Sequence, residues 1–293
     1  MLQVDVEATS ANISVGFDVL GLSLKLYNTF KFQFADEFEF VGFPKEYSSK
    51  ETNLIYQTYE YTFKKFDEKL KPIRIEFSGN IPVSRGLGSS SSLIVAGIYA
   101  AKAALKHKLT DEEVFDIAVE IEGHPDNVAP AIYGGLVAAY EKDGIYHPIK
   151  YEVSDKFKFI LVVPPFELST HEARKVLPKM LSYKDIIHNT SRIVNIPLAF
   201  KNGDIKLLKD LFSDKLHEPY RSPLIKGYDY VKEITDKDEN SCCAISGSGS
   251  TMLVVSTNLD IIEKLKKLNY EILVLEKGEG VKVNGELWAT III

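Results

Sequence analysis

The chain has 293 residues, of which 45% are hydrophobic and 26% are charged. This composition is typical of a globular protein, and the length allows two domains, each with its own apolar core. The formal net charge of -6 and the scattered lysines argue against nucleic-acid binding, because that binding needs a basic surface that releases counterions.

The sequence also argues against a membrane or secreted protein. No apolar run is long enough to cross a bilayer, and the N-terminus lacks the pattern of a signal peptide. The only cysteines, Cys242 and Cys243, are adjacent, which suits neither a disulfide framework nor a metal site. We therefore expect a cytoplasmic protein with no membrane partner.

In the first half, strand-like and helix-like patterns alternate along the chain. Apolar residues at every second position predict strands within residues 4–8, 30–40 and 73–77, and helical spacing predicts a helix over residues 55–66. An Ala- and Leu-rich stretch predicts a helix over residues 93–108. Thr110 and Glu113 form the capping box of a further helix, which ends at Gly123. Residues 124–140 are predicted to be free of helix and to end in a strand.

The second half begins after a polar stretch at residues 150–156. We place the boundary between an ATP-binding domain, residues 1–153, and a second domain, residues 154–293. A buried strand at residues 157–165 is followed by several helices from about residue 173 to residue 234, and then by two strands around the loop SGSGS. A helix from Leu259 and two final strands complete an α+β chain of two domains.

The strongest chemical signal is the segment PVSRGLGSSSS, which lies between a predicted strand and a predicted helix. Glycines let successive backbone N–H groups converge, and the N-terminus of the following helix attracts anions, so the segment suits a polyphosphate. It is not a Walker loop, since no Lys-Ser/Thr pair follows the second glycine. The alternative is a flexible Gly/Ser turn. The residues expected to hold phosphate are Pro82, Val83, Ser84, Arg85, Gly86, Leu87, Gly88, Ser89, Ser90, Ser91 and Ser92.

This segment resembles the phosphate loop of the GHMP superfamily, which comprises galactokinases, homoserine kinases, mevalonate kinases and phosphomevalonate kinases. ATSANISVGFDVLG, residues 8–21, is similar to the first motif of the superfamily, and SGSGST, residues 246–251, to the third. GHPDNVAPA, STHEAR and EPYR resemble segments of homoserine kinases. The resemblance implies a two-domain GHMP-kinase fold with a ribosomal-S5-domain-2-like N-terminal half and a C-terminal ferredoxin-like α/β sandwich.

The resemblance implies transfer of a phosphoryl group from ATP to the hydroxyl of L-homoserine, a step of threonine biosynthesis, with the help of Mg²⁺. Arg174 and Arg221 would bind the substrate carboxylate, as paired guanidinium groups can. The residues assigned to its amino and hydroxyl ends are Asn12, Asp18, His124, Asp126 and Asn127. A mevalonate- or shikimate-type kinase and a non-catalytic nucleotide or metabolite sensor remain open alternatives.

By the same resemblance, Glu120 binds Mg²⁺ together with Ser90 and Thr170, and Asp126, Glu120 and Ser90 form the catalytic set. Glu122 is the alternative metal ligand, and a merely solvated acidic stripe is the alternative for Glu120. Because no lysine adjoins Asp126, we expect it to orient the substrate rather than remove a proton.

Asn53 corresponds to a position beside the nucleotide base in relatives, although a helix-start asparagine also explains it. The histidines other than His124, among them His217, show no neighbours in sequence that suggest catalysis, and we expect surface or structural roles for them.

The chain departs from the family pattern at several positions. Relatives often have proline where this chain has Glu7, and Gly-Pro where it has Ser14 and Val15; Cys242–Cys243 replace Gly-Ala, and Ser250 replaces a common proline. None of these changes removes a predicted ligand. The sequence leaves open whether the chain works as a monomer or as a homodimer.

Overall fold

The structure is a computed structural model that describes residues 1–287, so the last six residues of the predicted second domain lie outside the described residues. The elements of the first half are β1 (Leu2–Ala11), β2 (Leu20–Phe34), β3 (Glu39–Val41), α1 (Leu54–Lys65), β4 (Ile73–Gly79), α2 (Ser89–Ala104), α3 (Asp111–Glu122), α4 (Pro125–Tyr133), β5 (Leu136–Lys142) and β6 (Ile145–Tyr151). Those of the second half are β7 (Lys158–Val163), α5 (Thr170–Lys175), α6 (Tyr183–Ile193), α7 (Ile196–Asn202), α8 (Ile205–Leu211), α9 (Glu218–Arg221), α10 (Tyr228–Asp236), β8 (Ser241–Ile245), β9 (Met252–Ser256), α11 (Ile262–Leu265), β10 (Glu271–Leu275) and β11 (Lys282–Asn284).

The first sheet is organised around β2, whose 15 residues pair with β1, β4 and β5. Its order is β11-β1-β2-β4-β3, with β5 and β6 added beside β2, and only β3 and β4 are parallel. One core packs the helices α1 to α4 against this sheet, and its members include Phe30, Phe63, Ile98, Phe115 and Val128. The glycine-rich segment, residues 82–88, connects β4 to α2 and so lies at one end of this layer.

The predicted helix boundaries of the first half are confirmed where capping residues mark them. Thr110 accepts a hydrogen bond from the Glu113 N–H, and the Glu113 side chain accepts from the Thr110 N–H, so the capping box is present. Gly123 ends α3 with a φ of 87°, in the left-handed region that glycine favours.

The prediction that residues 124–140 contain no helix is wrong, because α4 occupies residues 125–133. Pro125 stands at the first helical position, where a missing N–H costs nothing. Pro130 lies within the helix and leaves the Asp126 carbonyl without its usual helical partner. Gly21 of β2 packs there, since a Cβ at Gly21 would be 1.8 Å from that carbonyl oxygen.

The second sheet has the strand order β10-β7-β9-β8 and is antiparallel throughout. In chain order this is 4-1-3-2, which confirms the ferredoxin-like prediction. Ile160 and Val162 face a core with α10 and α11, while Phe159 and Leu161 face the opposite side. Cys242 and Cys243 lie on β8, one on each face, and both are buried free thiols.

A shared core joins the two halves. It contains Leu22 and Leu136 from the first sheet, Leu161 and Leu253 from the second, and Phe200 from α7. After β10 the chain returns to the first sheet, where β11 pairs with β1. The boundary at residues 153–154 stays a prediction, and residues 282–284 of the second segment belong to the first sheet.

Along the returning segment, the buried Glu7 accepts hydrogen bonds from the Gly280 N–H, the Ser23 hydroxyl and the Tyr27 hydroxyl, at 2.8, 2.5 and 2.9 Å. Glu7 lies at a bulge in β1 and so anchors the tail to the sheet. Among residues 1–287, no helix is both long and apolar enough to cross a membrane.

Candidate active site

A cavity of about 660 Å³ lies where the two halves meet. Its wall is formed by the turn between β1 and β2, the segment before α2, the adjoining ends of α3 and α4, the start of α5, α9 and the loop between β8 and β9. Most of the predicted site residues line it, including Pro82 to Ser91. The motifs that are far apart in sequence therefore meet at one place.

The backbone of the phosphate loop is held in an unusual conformation. Ser84, Gly86 and Gly88 have φ values of 54°, 72° and 68°. A Cβ at Gly88 would lie 2.0 Å from Thr9 Oγ1, and one at Gly86 would lie 2.1 Å from the Ser246 carbonyl oxygen. Only glycine fits these two positions, and the turn that they form directs the N-terminus of α2 toward the cavity.

The third motif, residues 246–251, supports this loop from behind. The Ser246 hydroxyl donates to the Gly86 carbonyl at 2.7 Å, and the Thr251 N–H donates to the Arg85 carbonyl at 3.2 Å. On the other side, the Thr9 N–H donates to the Leu87 carbonyl at 3.1 Å. The loop is thus hydrogen-bonded to both of the other motifs.

The four serines that begin α2 have different surroundings. Ser89 and Ser90 line the cavity, and the Ser91 hydroxyl, also at the cavity, donates to Glu122 Oε1 at 2.9 Å. Ser92 does not line the cavity; its hydroxyl donates to the Ser89 carbonyl and accepts from Asn28. Its position is that of a support for the first turn of α2.

Glu120, the predicted metal ligand, is placed outside the cavity. Its carboxylate accepts from the Tyr61 hydroxyl and pairs with Lys65, both at 2.5 Å, on the outer surface between α1 and α3. Residues two apart on a helix point in different directions, so Glu122 faces the cavity instead. Of the two candidate carboxylates, Glu122 lines the cavity and Glu120 does not.

The oxygen atoms beside the loop suit a hard divalent cation. Burial raises the pKa of Glu122, and the hydrogen bond from Ser91 opposes that shift only in part. A carboxylate and a hydroxyl side by side match the oxygen ligands that Mg²⁺ takes. Thr170 lies across the cavity, with its hydroxyl 3.4 Å from that of Ser248.

The apolar end of the cavity is built by the segment before α1. Asn53 is buried, and both polar atoms of its side chain are hydrogen-bonded: Oδ1 accepts from the Tyr56 N–H at 3.1 Å, and Nδ2 donates to the Tyr47 carbonyl at 2.9 Å. The helix-start role that the sequence allowed is the one that these contacts show. Asn53 also fixes the segment that carries Phe43 and Tyr47, two of the residues lining this end.

The opposite end of the cavity is charged. His124 Nδ1 lies 2.5 Å from the buried carboxylate of Asp126. Burial lowers the pKa of His124, but the hydrogen bond to Asp126 and the nearby carboxylates outweigh it, so the pKa is raised overall. Single ligand atoms of Asp18, His124 and Asp126 all lie within 4.8 Å of one another, so two carboxylates meet at one corner of this end.

The two predicted arginines stand beside that corner. Arg174 forms a bidentate pair with Asp18, at 2.8 and 3.0 Å, and this hydrogen bonding raises the pKa of Arg174. Arg221 is only 2% exposed, and within residues 1–287 no carboxylate oxygen lies within 4.0 Å of it. Burial, with the charge of Arg174, lowers the pKa of Arg221 to about 10, so it remains a cation at neutral pH.

The asparagines assigned to the substrate connect the motifs to each other. Asn12 donates to the Gly247 carbonyl at 2.8 Å and accepts from the Asp18 N–H at 3.0 Å. Asn127 accepts from the Thr9 hydroxyl at 2.8 Å. Asn12 and Asn127 both line the cavity, but these hydrogen bonds already occupy part of each amide.

Two residues that contact Arg221, Phe17 and His217, were not identified from the sequence. Phe17 lies under both guanidinium groups, with its ring centre 5.1 Å from Arg221 Cζ and 5.6 Å from Arg174 Cζ. His217 stacks on the same ring at 5.2 Å and is wholly buried, so it is not a surface residue. The only sequence signal for His217 is its position immediately before the EPYR segment.

Known proteins resemble this chain over nearly its whole length. Residues 53–135 match the family described as GHMP kinases N terminal domain. A homoserine kinase of Clostridium beijerinckii is 44% identical over 263 residues, which cover 89% of this chain and 88% of that protein. The crystal structure of a homoserine kinase from Cytophaga hutchinsonii, 27% identical, covers 97% of both chains with a TM-score of 0.84.

The wider superfamily shares the fold. A phosphomevalonate kinase from Streptococcus pneumoniae, 14% identical, covers 94% of this chain and 99% of its own with a TM-score of 0.73. The resemblance inferred from the three motifs is confirmed, and so is the α+β GHMP-kinase fold. The chain belongs to the homoserine kinase family of the GHMP kinases.

Proposed function

We propose that this chain transfers the γ-phosphoryl group of ATP to the hydroxyl of L-homoserine. The observation that carries the proposal is that one cavity has a phosphate loop on one wall and two arginines beside a carboxylate corner on another. A substrate with a carboxylate, an amino group and a hydroxyl has a partner for each group there. The homoserine kinases to which the chain is 41–44% identical support the same substrate.

The phosphate loop and the apolar end of the cavity together suit ATP. The N–H groups at the start of α2 would hold the phosphates of ATP, and the apolar end of the cavity, near Phe43, Tyr47 and Phe77, would bind its base. Glu122 and Ser91 would hold Mg²⁺, with Thr170 and Ser90 nearby. When bound, the cation neutralises charge on the phosphate oxygens.

The charged side chains at the other end of the cavity suit the carboxylate and ammonium groups of an amino acid. Arg221 would bind the carboxylate, because it lies at the cavity and forms no ion pair with an acidic side chain among residues 1–287. Arg174 would bind it as well, once the substrate's ammonium group takes its place beside Asp18 and Asp126. The substrate hydroxyl would then face the phosphate loop across the cavity.

Asp126 is proposed to orient the hydroxyl and not to remove its proton. Its near oxygen already accepts a hydrogen bond from His124, whose raised pKa favours the cationic form of the imidazole. Phosphoryl transfer proceeds through a loose transition state, in which positioning and charge neutralisation supply most of the catalysis. The proton would leave with the phosphoryl oxygens or with solvent.

A coupled assay of ADP release tests the proposal, with homoserine, mevalonate and shikimate compared at equal concentration. We expect turnover with homoserine and little with the other two, since neither of them has an amino group for the carboxylate corner. ATP binding without turnover on any of the three would favour a nucleotide or metabolite sensor instead. Turnover of mevalonate or shikimate alone would rule out the proposed substrate.

We further propose that the protein acts in the cytoplasm on this small molecule, without nucleic-acid or membrane partners. Cell fractionation with an antibody to the chain would contradict this if the protein sedimented with membranes. Light scattering at micromolar concentration would distinguish a monomer from a homodimer, which the sequence leaves open.

A further inference from the structure

His217 lies directly beside Arg221, one turn earlier in the chain. Arg221 donates from one terminal nitrogen toward His217 Nδ1 at 3.4 Å and toward the Gly247 carbonyl at 3.2 Å, and from Nε to the Ala173 carbonyl at 3.2 Å. Two of these three acceptors are backbone carbonyls. Among residues 1–287, His217 provides the only side-chain hydrogen-bond acceptor for this guanidinium.

The partners of His217 define its tautomer. Nε2 lies 2.7 Å from the Ser14 carbonyl, which can only accept, so the proton is on Nε2. Nδ1 is then an acceptor, and it faces the Arg221 cation. A second proton on the ring would turn this attraction into repulsion between two buried cations. Burial, the largest cause, and the charge of Arg221 lower the pKa of His217, although Asp214 opposes them.

His217 is itself firmly held. The carboxylate of Asp214 accepts from the N–H groups of His217 and Glu218, both at 2.7 Å, and so caps the start of α9. Its other oxygen accepts from Asn189 of α6 at 2.6 Å. The Phe17 ring covers one face of the imidazole. The ring therefore links α9 in the second half to the first motif, where Ser14 has a φ of 59°.

We propose that His217 is a positioning residue for the substrate carboxylate. The neutral imidazole, protonated on Nε2, connects the Ser14 carbonyl to Arg221 and sets the direction of the guanidinium group toward the cavity. This inference rests on the proposed function, in which Arg221 binds the carboxylate. It predicts that His217 governs the affinity for the amino-acid substrate and leaves the ATP site unaffected.

Replacement with phenylalanine and with glutamine tests the role. His217→Phe keeps a flat ring against Phe17 but removes both nitrogens, and we expect the KM for homoserine to rise about tenfold or more, the usual effect of losing a hydrogen bond to a charged group. The KM for ATP should not change. His217→Gln offers both a donor group and an acceptor atom and should restore most of the homoserine affinity. His147→Phe, on β6 in the other half, is the matched control and should behave as the unchanged protein.

A purely structural role would give a different result. His217→Phe would then lower stability or the active fraction and leave the KM for homoserine unchanged, or raise both KM values together. Either outcome overturns the proposal, as does a glutamine variant that restores nothing. If the unchanged protein does not phosphorylate homoserine at all, the proposed function fails first, and that failure is seen before any variant is made.

A measurement on the unchanged protein covers the case in which His217→Phe does not fold. In protein labelled with ¹⁵N-histidine, two-bond ¹H–¹⁵N correlations identify the tautomer of each ring, and His217→Gln assigns the signal. We expect a neutral ring protonated on Nε2 at pH 7, with an Nδ1 shift that moves when homoserine is added. A cationic ring, the opposite tautomer or an Nδ1 signal that ignores homoserine would each overturn the proposal.

Discussion

Glu122 is the residue on which the proposed magnesium site depends. Changing a residue that only supports a metal ligand typically lowers metal affinity or activity by about 10–100-fold. Glu122 would bind Mg²⁺ directly, so we expect Glu122→Gln to reduce kcat by at least about 100-fold. Glu120→Gln is the matched control, because Glu120 bonds to Tyr61 and Lys65 outside the cavity. Steady-state assays over a range of Mg²⁺ concentrations measure both. Equal losses in the two variants would contradict the assignment.

Glu218 gives the folded protein a defined pH dependence. Burial, with the charge of Asp214, raises the pKa of this carboxyl to about 8. Between the ordinary glutamate range and pH 8 the folded state therefore holds a proton that the unfolded chain releases. The free energy of unfolding should accordingly fall as the pH rises through this interval.

Glu218→Gln removes this titration while keeping an oxygen for the Ile245 N–H, which donates to it at 2.8 Å. We expect the variant to equal the unchanged protein in stability near pH 5 and to exceed it near pH 8.5, as measured by urea unfolding. The exposed Glu239→Gln serves as the control. A variant with the same loss of stability on raising the pH would show that another group is responsible.

The sequence alone could not decide whether Glu120 or Glu122 faces the site. Both carboxylates precede His124 by a few residues, and the sequence does not say which direction each takes from the end of α3. His217 was missed for a related reason, because its partners, Ser14 and Phe17, are about 200 residues away in the chain. Such contacts follow from the packing of the two halves, not from local spacing.

At the scale of elements, the junction between the phosphate loop and α2 depends on Gly88. Gly88→Ala should destabilise the fold by more than the roughly 1–2 kcal/mol that a left-handed residue costs, because its Cβ would also meet the Thr9 hydroxyl at 2.0 Å. That hydroxyl holds Asn127, so the variant should also raise the KM for ATP and disturb the substrate end.

Gly123→Ala is the control for Gly88→Ala. Gly123 also has a positive φ, 87°, next to a helix, but nothing lies within 4 Å of the Cβ that it would gain. Gly123→Ala should lower the free energy of unfolding by about 1 kcal/mol, because only the left-handed backbone is strained, and should leave the KM for ATP unchanged. Urea unfolding and initial-rate kinetics measure both effects. Similar behaviour of the two variants would mean that the contact with Thr9 has no influence.

The sequence predicted most elements because their signals were local. The capping box at Thr110 and the alternation in β1, β2 and β4 needed no tertiary information. α4 was missed because two prolines in nine residues normally argue against a helix. Pro125 is harmless at the first position, and Pro130 is tolerated where Gly21 approaches the helix, a feature that only the packing of β2 reveals.

At the scale of the whole molecule, the shared core predicts that the two halves unfold together. Its side chains come from both sheets and from α7, and the returning β11 adds backbone pairing to β1. We expect one urea transition by circular dichroism that coincides with the loss of activity. Residues 1–153 expressed alone should not fold, because they would expose Leu22 and Leu136 and would lack β11. A folded, soluble fragment would support two independent domains instead.

The three motifs predict the fold class without any structural information, since together they resemble one superfamily over most of the chain. The return of residues 282–284 to the first sheet carried no such signal, because a three-residue strand is too short to show a pattern. The anchoring of that tail by Glu7 was equally hidden. Glu7 could be identified only as a departure from the proline of relatives.

The two thiols of β8 have a practical consequence. They are the only cysteines in the chain, both are inaccessible to solvent, and burial raises the pKa of each, so little reactive thiolate forms. A cysteine introduced on the outer surface would therefore be the one group that maleimide dyes modify in the native protein. Distances across the cavity could then be followed by fluorescence during turnover, with the natural sequence otherwise left intact.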